Sequence, residues 1–341
     1  MVNYPSDCIQ HRKGDVVLVK YPLAKKHDPA YSSFRSSLFY KDELVAVSPV
    51  KSISYETFSS KYSLPNCRVE EFIEGTMINV WYGNNVWNIA TRSVIDALCT
   101  FESDKTFSEM FYECMRMNPI ELHADYCYSL VMQHPDNKII TPVDSMSLYV
   151  VGRYKMVDGV AVECYEPGPH TPRTFDVSSY EEAEALAQNV LGKGLMLKCN
   201  GERCKIKRRA YYELEVLKGN SPFHYRYLCM RNTPELVHFL NAFPWYTSES
   251  VVLEKEIQSL SEAMYQDYVL YYIRKQRMPV GYPYKKMMYD IHGVYLAIRP
   301  TRMSLARVSA LIQQLHASQL TKLLRERKTP RTSLIPHGMI L

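Results

Sequence analysis

The chain has 341 residues, of which 46% are hydrophobic and 23% charged, with a formal net charge of +5. No run reaches the ~18 uninterrupted apolar residues of a membrane helix, which argues against a membrane-spanning protein. Nine scattered cysteines, odd in number, argue against a disulfide scaffold and for a reducing, intracellular compartment such as the cytoplasm. At roughly 150 residues per domain the length suggests two domains, and the first run, MVNYPSDCIQHRKGD, lacks the apolar stretch of a signal peptide.

In chain order, the first two-thirds read mainly as strands: 15–21, 44–48, 76–82, 86–91, 127–132 and 147–154 are rich in Val, Ile and Tyr and bounded by Gly, Asn, Asp or Pro. Gly83-Asn84-Asn85 reads as a hairpin turn. The 27 tyrosines suit such half-buried sheet faces. Two helices interrupt the strands, at 106–117 and at 179–191, the second capped by Ser178 or Ser179 and stopped by Gly192. A last strand is expected at His224–Cys229, and the boundary between domains near Arg231–Pro234. Beyond it, 234–243, 249–276, 284–297 and 304–327 carry helical periodicity. The expected architecture is therefore α+β, with a sheet-rich domain over 1–232 and a helical, basic domain over 233–341.

The charge is uneven. From Arg274 to Leu341 there are 13 Lys and Arg against Asp290 and Glu326, a net of +11. A basic tail on a slightly acidic body favours a polyanion partner, RNA or DNA; the bland alternative is a solvated helix face. A second concentration, Lys193, Lys198, Arg203, Lys205, Lys207, Arg208 and Arg209, is opposed only by Glu202. Lys205 and Lys207 share a face if they lie on a strand, and like charges there call for an anion between them or for an edge strand turned to solvent.

Four segments carry candidate chemistry. Arg35, before one strand, and Lys51, after the next, can grip phosphates with a fork and a point charge. Glu74-Gly75-Thr76 precedes the hairpin that ends at Arg92; Gly75 permits a close backbone approach, and Glu74 can accept from a ribose hydroxyl. The run 128–140, YSLVMQHPDNKII, places Tyr128 and His134 on a strand that turns into another strand; a lone His beside such a turn is more often structural. The run 192–217 holds the second basic cluster. Cys199 and Cys204 have no second pair at zinc spacing, so no metal site is expected from them.

In this order the four segments resemble the motif series of covalent nucleotidyltransferases, specifically RNA ligases of the phage T4 RNA ligase 1 group. Two of them, EEFIEGTMINVW and YSLVMQHPDNKII, also resemble ligase-like proteins of large DNA viruses, which implies a virus-encoded protein. The resemblance covers roughly residues 14 to 330. It implies a nucleotidyltransferase domain of antiparallel sheets followed by a helical domain. It puts Arg35, Lys51, Glu74, Gly75, Arg92, Tyr128, Lys205 and Lys207 at the nucleotide, with Tyr128 stacking on the base, Thr76 on the motif serine and Gly194 on a motif glycine. It implies ATP and Mg²⁺ for an active enzyme.

Three chemical positions depart from the pattern. Phe72 stands where the motif has its nucleophilic lysine, Lys193 where it has one glutamate and Ser129 where it has another. Phe cannot form a phosphoramide, and adenylylation needs carboxylates for Mg²⁺. The expectation is thus an RNA-ligase-like protein that binds nucleotide and RNA ends, with standard ligation in doubt. The alternatives are a relocated nucleophile, Lys193 or Lys51; an inactive RNA-binding adaptor or virion structural protein; and a scaffold whose basic face a protein partner covers.

Overall fold

The computed structural model describes residues 4–276 and 282–328; part of the basic tail, 277–281 and 329–341, lies outside the described residues. Contacts divide the chain into two compact units, Met1–Val216 and Leu217–Leu341.

The first unit holds three antiparallel sheets. One is a meander of β1 (Ile9–Lys13), β2 (Val16–Lys20), β3 (Ser37–Tyr40) and β4 (Glu43–Val47). A second, in the order β10-β9-β8-β6-β7, joins β6 (Thr76–Gly83), β7 (Val86–Thr91), β8 (Cys127–Gln133), β9 (Ser147–Val157) and β10 (Val160–Glu163). The third, in the order β11-β5-β12-β13, joins β5 (Arg68–Glu71), β11 (Thr174–Phe175), β12 (Gly194–Cys199) and β13 (Glu202–Lys207). The β6–β7 hairpin turns as the sequence suggests: Asn84 and Asn85 both adopt positive φ, 54° and 61°, the conformation that the tightest hairpins need and Asn tolerates.

The first and second sheets bury side chains on both faces. Leu18, Leu38 and Ala46 of the first pack on Trp81, Ala90 and Tyr154 of the second. The other face of the second sheet takes helix α2 (Phe107–Met117), which inserts Met110, Phe111 and Cys114 beside Ile78, Leu130 and Met132. Thr106 caps α2 in a capping box with Glu109. The third sheet is covered by α1 (Tyr55–Lys61), through Phe58, and α3 (Tyr180–Asn189), through Ala183 and Ala187. Ser179 caps α3 by accepting from the Glu182 amide. Between the first two sheets runs a buried polar seam. Ser129 donates to the Val47 carbonyl and to Asn79, both at 3.0 Å, and Asn79 donates to Ser48 at 2.9 Å.

The second unit begins in α4 (Arg209–Lys218), which straddles the division, and continues through α5 (Phe223–Met230), α6 (Glu235–Ala242), α7 (Thr247–Tyr268) with a π-helical end at Val269–Ile273, α8 (Tyr282–Ala297), α9 (Leu305–Gln313) and α10 (Ala317–Lys328). No helix among the described residues is long and apolar enough to cross a membrane. The expected α+β architecture, antiparallel sheets followed by a helical region, is the one observed.

Three local readings are corrected. His224–Cys229 is helical: the rings of Phe223 and Tyr227 meet at 6.0 Å, whereas a strand, rising ~3.3 Å per residue, would hold these two positions about 13 Å apart. The single helix expected over 304–327 breaks at Gln314–His316 into α9 and α10. No strand follows the Pro-Asp-Asn turn: 138–141 is irregular, and its amides bind a side chain instead, as described below. His134 is structural. Its Nδ1 accepts from the Asp136 amide at 3.0 Å, which leaves Nε2 to donate to Glu113 at 2.8 Å.

Candidate functional site

A cavity of about 280 Å³ opens in the first unit, lined by residues of β5, β12 and β13 from the third sheet and of β6, β8 and β9 from the second. Arg35, Lys51, Arg92, Arg203 and Lys205 line it, with Phe72 and Tyr21. The segment after β4 is tied to β13 by the Ile53 amide donating to the Arg203 carbonyl at 2.9 Å, and this brings Lys51 to the strand that carries Lys205.

The cations have few counter-charges. The carboxylate on the wall is Glu70, 3% exposed and already engaged: Lys198 Nζ lies at 2.6 Å and Arg68 Nε at 3.2 Å. Arg35 Nη1 and Arg203 Nη2 both donate to the Pro49 carbonyl oxygen, each at 3.4 Å. Two guanidiniums thus converge on one neutral acceptor at the long limit of a hydrogen bond. Arg203 is 7% exposed and its Nε has no partner. Burial, and Arg92 nearby, lower the Arg35 pKa, yet a guanidinium stays charged. Lys51, whose Nζ lies 2.9 Å from His27 Nδ1, is lowered by burial, Lys26 and Arg35. Lys205 is lowered by burial first, then by Lys207, Arg35 and Lys193, with Glu215 opposing. Crowded, partly desolvated cations with lowered pKa values are what a site built for a polyanion looks like before the anion arrives.

The remaining sequence candidates fall elsewhere. Lys207 pairs with Glu215 and does not line the cavity, although it shares a strand face with Lys205 and is near enough to lower its pKa. Glu74 is 7% exposed, and its Oε1 accepts from the Ile140 amide at 2.6 Å and the Thr141 amide at 3.2 Å; the irregular 138–141 segment therefore occupies the carboxylate expected at a ribose. Gly75 allows the close approach of β8, since a Cβ there would lie 2.4 Å from the Met132 carbonyl oxygen. Tyr128 is 3% exposed, its hydroxyl accepts from the His123 amide at 2.9 Å, and it lines a different cavity, of about 430 Å³. Ser129 lies in the buried polar seam. Lys193 stands next to the cavity. Its ammonium lies 5.2 Å from the Phe72 ring centre and 5.5 Å from that of Tyr211. Burial lowers its pKa, with Glu74 and Glu215 opposing. Lys205 lies 5.9 Å from the same Phe72 ring, so two ammonium groups attend Phe72.

Sequence reasoning missed Arg203 as a member of the site. Period two on β13 was the available signal, since Arg203 and Lys205 share a face. Glu70 and Lys198, which neutralise each other on the wall, gave no signal short of the β5–β12 register.

The cavity does not suit a protein-bound Mg²⁺. Mg²⁺ is held by one or two carboxylates together with phosphates, and the carboxylate on this wall, Glu70, is already taken by Lys198 and Arg68. ATP phosphates, by contrast, match the donor set in kind: forks and ammonium groups with no acceptor of comparable charge.

No family model matches the chain. Over 104 aligned residues it is 29% identical to an RNA ligase of Rhodothermus phage RM378, an alignment that takes in 27% of this chain and 23% of the ligase, so the chain spans about a quarter of that relative's length. Among solved structures it is similar to an archaeal ATP-dependent RNA ligase at 13% identity and a TM-score of 0.44, covering 89% of this chain and 91% of the other. A putative ATP-dependent DNA ligase from Aquifex aeolicus gives 11% identity and a TM-score of 0.43 over 90% and 94% of the two chains. The sequence relationship is thus a weak one, over part of its length, to a phage RNA ligase.

Proposed function

We propose that this chain is an RNA-ligase-like protein whose cation-lined cavity binds the phosphates of a nucleoside triphosphate or of a phosphorylated RNA or DNA end, without forming the standard lysyl-nucleotide at Phe72. One observation carries the reading: Arg35, Lys51, Arg92, Arg203 and Lys205 converge on one cavity whose carboxylate is already neutralised. The partial similarity to a phage RNA ligase agrees with it. The basic residues of α8 to α10 would offer a nucleic-acid backbone contacts of their own.

A second reading has its own observation. Lys193 holds an amine with a lowered pKa beside Phe72, so it can serve as a relocated nucleophile, attacking the α-phosphorus of ATP and expelling pyrophosphate.

One experiment separates the two. The protein is incubated with ATP labelled at the α-phosphate, with and without Mg²⁺, then divided between equilibrium binding and denaturing electrophoresis. We expect reversible binding that weakens steeply with salt, as phosphate neutralisation requires, and no label that survives denaturation. A surviving label that Lys193→Met abolishes establishes the second reading. Absence of any binding contradicts both.

A further inference from the structure

A second cavity, of about 450 Å³, lies between the first sheet and the β9–β10 hairpin. Its body is apolar: Phe34, Phe39 and Val47 on one side, Tyr154, Val160 and Ala161 on the other. The volume falls in the range that encloses a small molecule.

The polar groups on its wall are nearly all spent. Ser37 Oγ donates to the Ser33 carbonyl at 2.8 Å and Ser48 Oγ to Asn79 at 3.2 Å. Glu163 accepts from Arg68 at 2.7 Å, and Lys198 is held by Glu70 at 2.6 Å and the Val151 carbonyl at 2.8 Å. Glu202 accepts from Lys61 at 2.7 Å and Tyr62 at 2.9 Å. Arg203 is the exception. Its guanidinium, shared with the phosphate cavity, makes one long bond to Pro49, pairs with no carboxylate among the described residues, and keeps an unfilled Nε–H while 7% exposed. A buried guanidinium with spare donors is costly until an anion meets it. An apolar chamber that offers one such group selects a ligand with one anionic head and an apolar body.

We propose that this cavity is a second ligand site, for a small apolar carboxylate whose head is bound by Arg203. This reading shares Arg203 with the nucleotide reading, but its apolar walls belong to a different cavity, so the two are told apart by probes that differ in body.

The probes are decanoate and decanol, which share a body and differ in the head, titrated calorimetrically below their aggregation limits. On the unaltered chain decanoate should bind about 10-fold or more tighter than decanol, the worth of a buried charge-assisted pair. Arg203→Leu should bring the two ligands to within about 2-fold of each other, since the head then meets no donor. Val160→Trp, placed at the exposed edge of the chamber, should weaken both by about 10-fold through occlusion and leave pyrophosphate affinity unchanged. Equal binding of the two probes to the unaltered chain overturns the proposal, as does a carboxylate preference that survives Arg203→Leu, or Val160→Trp without effect on either probe. If pyrophosphate fails to bind while decanoate behaves as expected, the nucleotide reading falls and this one stands.

Discussion

Arg35→Ala is expected to weaken pyrophosphate binding by about 10- to 100-fold, and Lys205→Ala by a similar factor. Each residue would supply a charge-assisted hydrogen bond in a partly desolvated cavity, worth roughly 1.5–3 kcal/mol, and about 1.4 kcal/mol is tenfold in affinity. Arg35→Lys should recover little, because a point charge cannot replace the fork that faces Arg203 across the Pro49 carbonyl. Lys207→Ala is the internal control. Its ammonium is taken by Glu215, so its loss should change affinity by no more than about 3-fold, the scale of an exposed pair. The pH dependence has a definite sign. The Lys205 pKa is lowered in the free protein, so the free lysine starts to lose its proton below the ordinary lysine range. An anion favours the protonated form. Affinity should therefore fall as pH rises into that lowered range, and Lys205→Arg should flatten the fall. Calorimetric titration of pyrophosphate into each variant checks all of these; equal losses at Lys205 and Lys207 would remove the cavity from the explanation.

Gly194→Ala should be the most damaging single methyl in the sheet-rich unit. Gly194 begins β12 at φ +129°, and a Cβ there would lie 2.0 Å from the Ile206 carbonyl oxygen and 2.8 Å from the Arg208 amide nitrogen. Both neighbours are backbone, so relief requires separating β12 from β13, the two strands that place Lys198, Arg203 and Lys205. Strain and lost pairing together should cost about 3 kcal/mol or more. For a chain of this size that lowers the melting temperature by roughly 6–12 °C. Gly159→Ala is the matched control: its φ is +76° but nothing lies within 4 Å of the added methyl, so only local strain of about 1 kcal/mol remains. Melting curves of the two variants suffice. A Gly194→Ala shift no larger than that of Gly159→Ala would mean that the β12–β13 junction is softer than its geometry implies.

The six strands expected between 15 and 154 and the helices capped by Thr106 and Ser179 were legible in the sequence because their signals are local: alternation, paired asparagines at a turn, Ser179 ahead of Glu182; α1, capped by Ser54, was missed. His224–Cys229 misled because its aromatics fit either period until Phe223 is seen packing together with Tyr227. The candidate site was legible in part. Arg35, Lys51, Arg92 and Lys205 meet as the ordered motifs suggest. Glu74, Tyr128 and Lys207 do not join them: the amides of 140 and 141, far along the chain, take Glu74, while the nearby His123 amide and the Glu215 carboxylate of the next helix, neither flagged by a motif, take Tyr128 and Lys207. Arg203 went unassigned because its meeting with Arg35 at the Pro49 carbonyl, which leaves its Nε without a partner, shows only once that segment is folded over β13.

The most direct test of the central claim is a crystal structure with pyrophosphate bound. The account predicts pyrophosphate between Arg35, Arg203 and Lys205, with the two guanidiniums drawn off the Pro49 carbonyl to bridge its oxygens. Pyrophosphate on the surface basic residues of α8 to α10, with Arg35 and Arg203 still on Pro49, would contradict it.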